Sequence, residues 1–241
     1  MSRLGGEAAS TATLRDHGTR VTALCVYNDT LCSGSYDQIR LWDLTSNTCT
    51  TTLKGHSNTV TALCVYNDTL CSGSFDHTIR LWDLTSNTCT TTLKGHSNIV
   101  TALCVYNDTL CSGSLDQIRL WDLTSNTCTT TLKGHSTYVE AICVYNDTLC
   151  SGSSDTTIRL WDLTSNTCTT TLKGHSNTVR ALCVYNDTLC SGSDDTTIRL
   201  WDLATNTCTT TLKGHSNTVT ALCVYNDTLC SGSEDTTIRL W

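Results

Sequence analysis

The sequence predicts an all-β protein in which six four-stranded sheets stand side by side around a ring. Three observations predict it. The segment Cys-Val-Tyr-Asn-Asp-Thr-Leu-Cys-Ser-Gly-Ser occurs six times, beginning at residues 25, 64, 104, 143, 183 and 223, at intervals of 39 or 40 residues. A period near 40 with strand-like units points to a solenoid or a propeller. No segment has helical periodicity, and proline is absent from the 241 residues. Two strands of each repeat are nearly continuous in apolar residues, which requires cover on both faces. Stacking every sheet between two neighbours supplies that cover.

The repeat at residues 48–83 shows the elements in order. Cys49 to Leu53 is Thr-rich and β-favouring; its threonines suit a wet outer rim, where a short strand limits edge-to-edge pairing. Gly55-His56 makes a turn. Val60 to Tyr66 is the second strand. Asn67-Asp68 is a two-residue hairpin signal, because both residues tolerate positive φ. Thr69 to Ser74 is the third strand, and a turn around Asp76 leads to the fourth, Ile79–Trp82.

Composition narrows the function. Charged residues make up only 15% of the chain, so solubility leans on Thr, Ser and Asn. A net charge of −7 argues against nucleic acid held on a basic surface and leaves a basic peptide open. No run of apolar residues is long enough for a membrane-spanning helix. Residues 1–9 lack a signal-peptide core and read as a flexible leader to a single domain, 10–241. The 17 cysteines fall three to a repeat, with Ser10 in place of the eighteenth. Scattered by duplication, they read as reduced thiols serving as small buried hydrophobes, which fits a cytoplasmic, reducing setting. The hairpin sets Cys64 opposite Cys71, with poor geometry for a disulfide and no nearby His for a metal. Asn-Asp-Thr, at Asn28 and its five equivalents including Asn186, matches a glycosylation acceptor, but the hairpin explains it.

The Gly-His turn, the Ser-Gly-Ser strand, the Asp turn and the Trp ending, in that order at this spacing, resemble WD40 repeats over residues 10–241. The resemblance implies a six-bladed WD40-type β-propeller with four antiparallel strands per blade. It also implies a buried chain of His, Ser, Asp and Trp in each blade. In the first repeat these are His17, Ser33, Asp37 and Trp42; in the second, His56, Ser72, Asp76 and Trp82. The third has His96, Ser112, Asp116 and Trp121, and the fourth His135, Ser151, Asp155 and Trp161. The fifth has His175, Ser191, Asp195 and Trp201, and the last His215, Ser231, Asp235 and Trp241. Trp donates to Ser, and His passes a hydrogen bond to Asp. A Ser-His-Asp set invites a hydrolase reading. Six identical buried copies without a distinct oxyanion hole speak against it, so no enzyme, catalytic residue, metal or cofactor is expected. His77, outside the set, reads as exposed turn surface.

Residues 10–16 match the outer-strand segment that ends before His56, while the chain finishes at Trp241 without an outer strand. WD40 rings close by sharing a blade in this way. The resemblance therefore implies a closed, monomeric ring in which the N-terminal outer strand pairs with the C-terminal blade.

Differences among the near-identical copies concentrate at three positions. The residue before the turn Asp is Tyr36, Phe75, Leu115, Ser154, Asp194 or Glu234. The residue before the strand-opening Val is Arg20, Thr59, Ile99, Tyr138, Thr178 or Thr218. The residue after that Val is Thr in four repeats and Glu140 or Arg180 in the other two. In a propeller these turns open on one face near the central channel, the usual partner-binding rim of the family. Tyr36, Phe75, Leu115, Ile99 and Tyr138 would form an apolar arc; Arg20, Arg180, Glu140, Asp194 and Glu234 are the charged members. Aromatics beside charge resemble an interface core and rim. The expected function is protein or peptide binding. The alternative is an engineered or reconstructed repeat scaffold with no natural ligand.

Overall fold

In a computed structural model the protein is all-β, in a propeller-like arrangement of six sheets. Residues 12–185 and 187–241 are described, apart from the side chain of Asp116. The expected leader 1–9, Ser10 and Asn186 lie outside them.

The first sheet holds β1 (Ala23–Tyr27), β2 (Thr30–Gly34), β3 (Gln38–Asp43) and β4 (Thr48–Lys54), in that order and antiparallel. The second repeats it with β5 (Val60–Tyr66), β6 (Thr69–Ser74), β7 (Thr78–Asp83) and β8 (Thr88–Lys94). The hairpin turn is made as the sequence demands, with Asn67 at φ 49°. The third sheet has β9 (Ala102–Tyr106), β10 (Thr109–Gly113) and β11 (Leu115–Asp122). Its outer strand is the start of β12 (Thr127–Tyr145), a 19-residue strand that continues as the inner strand of the fourth sheet.

The local cause of that continuity is legible. Where other repeats turn, Asn58, Asn98, Asn177 and Asn217 each accept a hydrogen bond from the next backbone N–H at 2.8 Å. The fourth repeat has Thr137 there, followed by Tyr138. The first repeat also has Thr there, Thr19, yet bends; in the fourth, β-favouring Tyr138 follows Thr137 and pairs with Leu115 of β11, which keeps the chain extended.

The fourth sheet goes on with β13 (Thr148–Ser153), β14 (Ile158–Asp162) and β15 (Thr167–Leu172), and the fifth holds β16 (Val179–Tyr185), β17 (Thr188–Ser193), β18 (Ile198–Asp202) and β19 (Thr207–Leu212). The last has β20 (Val219–Tyr225), β21 (Thr228–Ser233) and β22 (Ile238–Leu240).

The first strands of successive sheets pack on one another, β1 on β5, β5 on β9 and so on to β20, so they surround the axis. The Thr-rich strands form the rim. Between sheets lie the apolar layers. Ile79, Leu81 and Leu93 of one sheet meet Val100, Leu110 and Trp121 of the next. Burying each such side chain stabilises the array by about 1.5–3 kcal/mol. All 17 cysteines are free thiols. Cys64 faces Cys71 across the hairpin, and its hydrogen bond to Cys71, with burial, pushes its thiol well up.

Among the described residues the outer strand of the sixth sheet is not formed. The sixth sheet has three strands, and residues 12–16 form none. Leu24 and Val26 are 60% and 59% exposed at one end of the arc, and Ile238 and Leu240 are 77% and 69% exposed at the other. In the second sheet the equivalents of the latter pair, Ile79 and Leu81, are 0% and 4% exposed.

Candidate functional site

Two constellations carry the polar chemistry, one buried inside each blade and one at the mouth of the axis. In the second blade the Trp82 indole N–H donates to Ser72 Oγ at 2.8 Å, and His56 Nε2 lies 2.7 Å from the same oxygen. On its other side His56 Nδ1–H donates to Asp76 Oδ2 at 2.7 Å. The carboxylate also accepts from the Ser57 N–H at 3.0 Å, and from the Thr78 N–H and hydroxyl at 3.0 and 2.6 Å. Burial opposes ionisation of Asp76, but the bonds from Thr78, His56 and Ser57 outweigh it and hold the carboxyl at about 2. Desolvation lowers the His56 pKa, against the pull of Asp76, so the imidazole is a neutral link. The same arrangement joins His135 to Asp155, His175 to Asp195 and His215 to Asp235.

The first and third blades differ. Their Ser and Trp bonds are present, His17 to Ser33 and His96 to Ser112 both at 2.6 Å. His17 Nδ1 and His96 Nδ1, however, are buried without a hydrogen-bond partner among the described atoms. The expected place of Asp37 in the chain is therefore corrected; the Asp116 side chain lies outside the described atoms. The reason is one residue. These repeats read Asp-Gln-Ile where the second reads Asp-His-Thr-Ile. In the longer turn the residue after Asp takes the left-handed conformation, His77 at φ 67° and Thr156 at φ 71°, and Asp reaches back to His. In the shorter turn Asp37 itself is left-handed, at φ 59°, and makes no such bond. His96, with burial and the Arg119 charge acting on it, drops to about 4.

The mouth gathers residues that vary between copies. A cavity of 530 Å³ is lined by Arg20, Phe75, Ile99, Tyr138, Glu140 and Arg180, with Thr22, Thr61 and Thr101 between them. Backbone bonds bring the two variable turns together: Phe75 N–H donates to Thr59 O and Asp194 N–H to Thr178 O, both at 2.9 Å. Tyr36, half exposed, lines an adjoining 310 Å³ cavity with Arg20 and Phe75. Arg180 forks onto Asp194, with two bonds of 2.9 Å, and lies 3.3 Å from Glu140. Asp194, followed by the Glu140 and Glu234 charges, raises the Arg180 pKa. Glu140 in turn accepts from the Ser154 hydroxyl at 2.6 Å. Leu115, Asp194 and Glu234 line neither cavity; Leu115 pairs with Tyr138 across the β11–β12 ladder. The sequence reading placed Thr22, Thr61 and Thr101 at its third variable position but did not count them as site residues.

Other cavities lie at the hairpin end of the blades, one of 480 Å³ between the fourth and fifth and one of 230 Å³ between the first and second. They recur with the repeat and gather no variable set. Among the described residues no cluster of three or more His, Cys, Asp or Glu is placed to hold a metal, and no helix is long and apolar enough to cross a membrane.

The crystal structure of the computationally designed Ika8 protein is similar to this chain, with 29% identity and a TM-score of 0.83, covering 93% of this chain and 71% of that one. No curated protein matches. The family model of the WD domain, G-beta repeat, matches six times, at residues 9–43, 47–83, 87–122, 126–162, 166–202 and 206–241. The chain therefore belongs to the WD40 repeat family.

Proposed function

We propose that the chain is a non-catalytic protein- or peptide-binding WD40 propeller that recognises its partner through the cavity at the mouth of the axis. One observation carries the reading: six of the side chains at the positions that differ between copies, Arg20, Phe75, Ile99, Tyr138, Glu140 and Arg180, line a common cavity, with Phe75, Ile99 and Tyr138 as an apolar wall beside the Arg180–Glu140 pair. Interfaces draw their affinity from aromatics at a desolvated centre with charge around it. The net charge of −7 favours a protein or peptide over nucleic acid, and free thiols in this number suit a reducing compartment. The Ser-His-Asp sets do not favour catalysis. Ser72 is fully buried, and its oxygen is already engaged by Trp82 and His56.

The test is a paired capture from cell extracts. One bait is the chain; the other carries Tyr36→Ser, Phe75→Ser, Leu115→Ser, Ile99→Thr and Tyr138→Thr. A partner held by the first and lost from the second is the expected result. Two folded baits that capture the same set, or nothing, overturn it. They would leave the second reading, a repeat scaffold without a natural ligand, which the near-identity of the copies and the similarity to a designed protein favour.

A further inference from the structure

Successive blades meet through copies of one junction. A Cβ added at Gly34, Gly73, Gly113, Gly152 or Gly192 would lie 2.6–2.9 Å from a valine Cγ1 of the next blade, so valine and glycine interlock at each of these junctions. The Tyr66 hydroxyl donates to Asp108 in the hairpin of the next blade, and Tyr27, Tyr106 and Tyr145 do the same at their own junctions. A third link stands at the mouth of the axis. The hydroxyls of Thr22, Thr61 and Thr101 each lie between two carbonyl oxygens, that of a glycine in their own blade and that of the strand-opening valine of the next, Val60, Val100 or Val139.

Glu140 and Arg180 break this third link. They stand where the fourth and fifth blades would carry the threonine. A carboxylate cannot donate to the Val179 carbonyl, and the Arg180 donors go to Asp194 and Glu140 instead of to Val219. The rest of the junction is kept, since Gly152 and Gly192 still receive Val179 and Val219. Relative to the sister blades, an inter-blade hydroxyl bond at each of these junctions is exchanged for a charge that lines the 530 Å³ cavity. The charges are held in place. Asp194 fixes the Arg180 guanidinium with two bonds, and the Ser154 hydroxyl fixes Glu140 Oε1.

We propose that Glu140 and Arg180 set the specificity of the mouth, and that the partner is a peptide segment presenting a lysine or arginine beside an apolar residue. This rests on the proposed reading of the mouth as the binding surface. Charge complementarity decides the sign. Asp194 neutralises Arg180, which leaves the Glu140 charge uncompensated, and the Glu234 carboxylate also acts on this side. Glu140 accepts from Ser154 and lies 3.3 Å from Arg180, so it keeps acceptor positions free for an incoming donor. Ile99 and Tyr138 line the same cavity. The alkyl stem of a basic side chain lies along them with its charged head at Glu140, and an aromatic ring adds attraction for the cation. Arg20, the other cation of the lining, stands on the first blade with Tyr36 and Phe75, which directs the basic residue to the side of the fourth and fifth blades.

The test is selection of a phage-displayed library of random heptapeptides on the immobilised chain, followed by titration of fluorescein-labelled selected peptides by fluorescence anisotropy. The selected set is expected to carry Lys or Arg next to an apolar residue. Glu140→Gln, which keeps the shape of the side chain, should weaken such a peptide about tenfold. The same peptide with Gln in place of its basic residue should bind both chains equally. Glu140→Thr combined with Arg180→Thr restores the residue of the sister blades; it should lose the preference for a basic residue while its Tm is no lower than that of the unsubstituted chain. A Tm several degrees lower in that variant would make the pair a structural device and overturn the proposal. So would selected peptides without a basic residue, or an affinity that Glu140→Gln leaves unchanged; loss of those peptides in Phe75→Ser would then still uphold the mouth as the binding surface. A library that yields no peptide dependent on Phe75 overturns that reading and this proposal with it.

Discussion

Replacing Asp76 by Asn isolates the value of the buried carboxylate. Its two oxygens receive four donors, from His56, Ser57 and twice from Thr78. An amide keeps one acceptor oxygen and sets an NH2 against the donors facing the other. Losing those bonds and leaving buried donors unpaired costs about 2–4 kcal/mol. A second route gives a similar size. The carboxyl is held at about 2 instead of its ordinary 3.8, which corresponds to roughly 2 kcal/mol of preference for the ionised form. Asp76→Asn should thus destabilise the fold by about 2–3 kcal/mol. That corresponds to a fall in Tm of about 4–12 °C for a chain of this size. The internal control is Asp37→Asn. His17 Nδ1 is already unpartnered and Asn tolerates the left-handed backbone, so this change should fall within about 0.5 kcal/mol of zero. Urea unfolding of both variants at neutral pH is the assay. Equal losses would refute the claim that the one-residue difference in turn length removes Asp37 from the bond chain.

Two further outcomes follow from the same geometry. Because His96 drops from 6.5 to about 4 on folding, the unfolded chain binds more protons below pH 6.5. The corresponding stability is fully present above pH 6.5 and is lost as pH falls towards 4, to the extent of about 3 kcal/mol. Urea midpoints measured across that window should fall with pH, and less steeply in His96→Gln. Gly73→Ala drives a Cβ to 2.6 Å from Val100 Cγ1 and should cost about 1–3 kcal/mol, whereas Gly232→Ala, facing open space, should be close to neutral; thermal unfolding compares them.

The strands were legible in the sequence because each is bounded by residues with a mechanical role. Val60–Tyr66 and Thr69–Ser74 have the limits that Asn67-Asp68 and the flanking turns impose. The long β12 was not foreseen, because it depends on Tyr138 pairing with Leu115 of the preceding strand, a contact between two variable positions. The two 39-residue intervals among the 40-residue ones held the clue to Asp37 and were read only as spacing. At the mouth, variation pointed to Arg20, Phe75, Ile99 and Tyr138, which line the cavity, but also to Leu115 and Glu234, which do not. Position along the repeat places a side chain near the axis without fixing its direction. The aspartate of the hairpin was read as turn chemistry alone, and its bond to the tyrosine of the preceding blade appears only when two sheets are set side by side.

The sameness of the junctions bears on how such a gene can change. Valine meets glycine and tyrosine meets aspartate wherever one blade follows another. A block of one repeat length deleted, duplicated or exchanged between copies therefore re-forms junctions of the kind already present. Misaligned recombination between these copies yields a foldable product without compensating substitutions elsewhere. Each such event also reorders the side chains at the mouth, placing an aromatic blade beside a charged one in a single step. The packing that makes the blades interchangeable thus turns the cavity into a surface that varies by shuffling, several positions at a time.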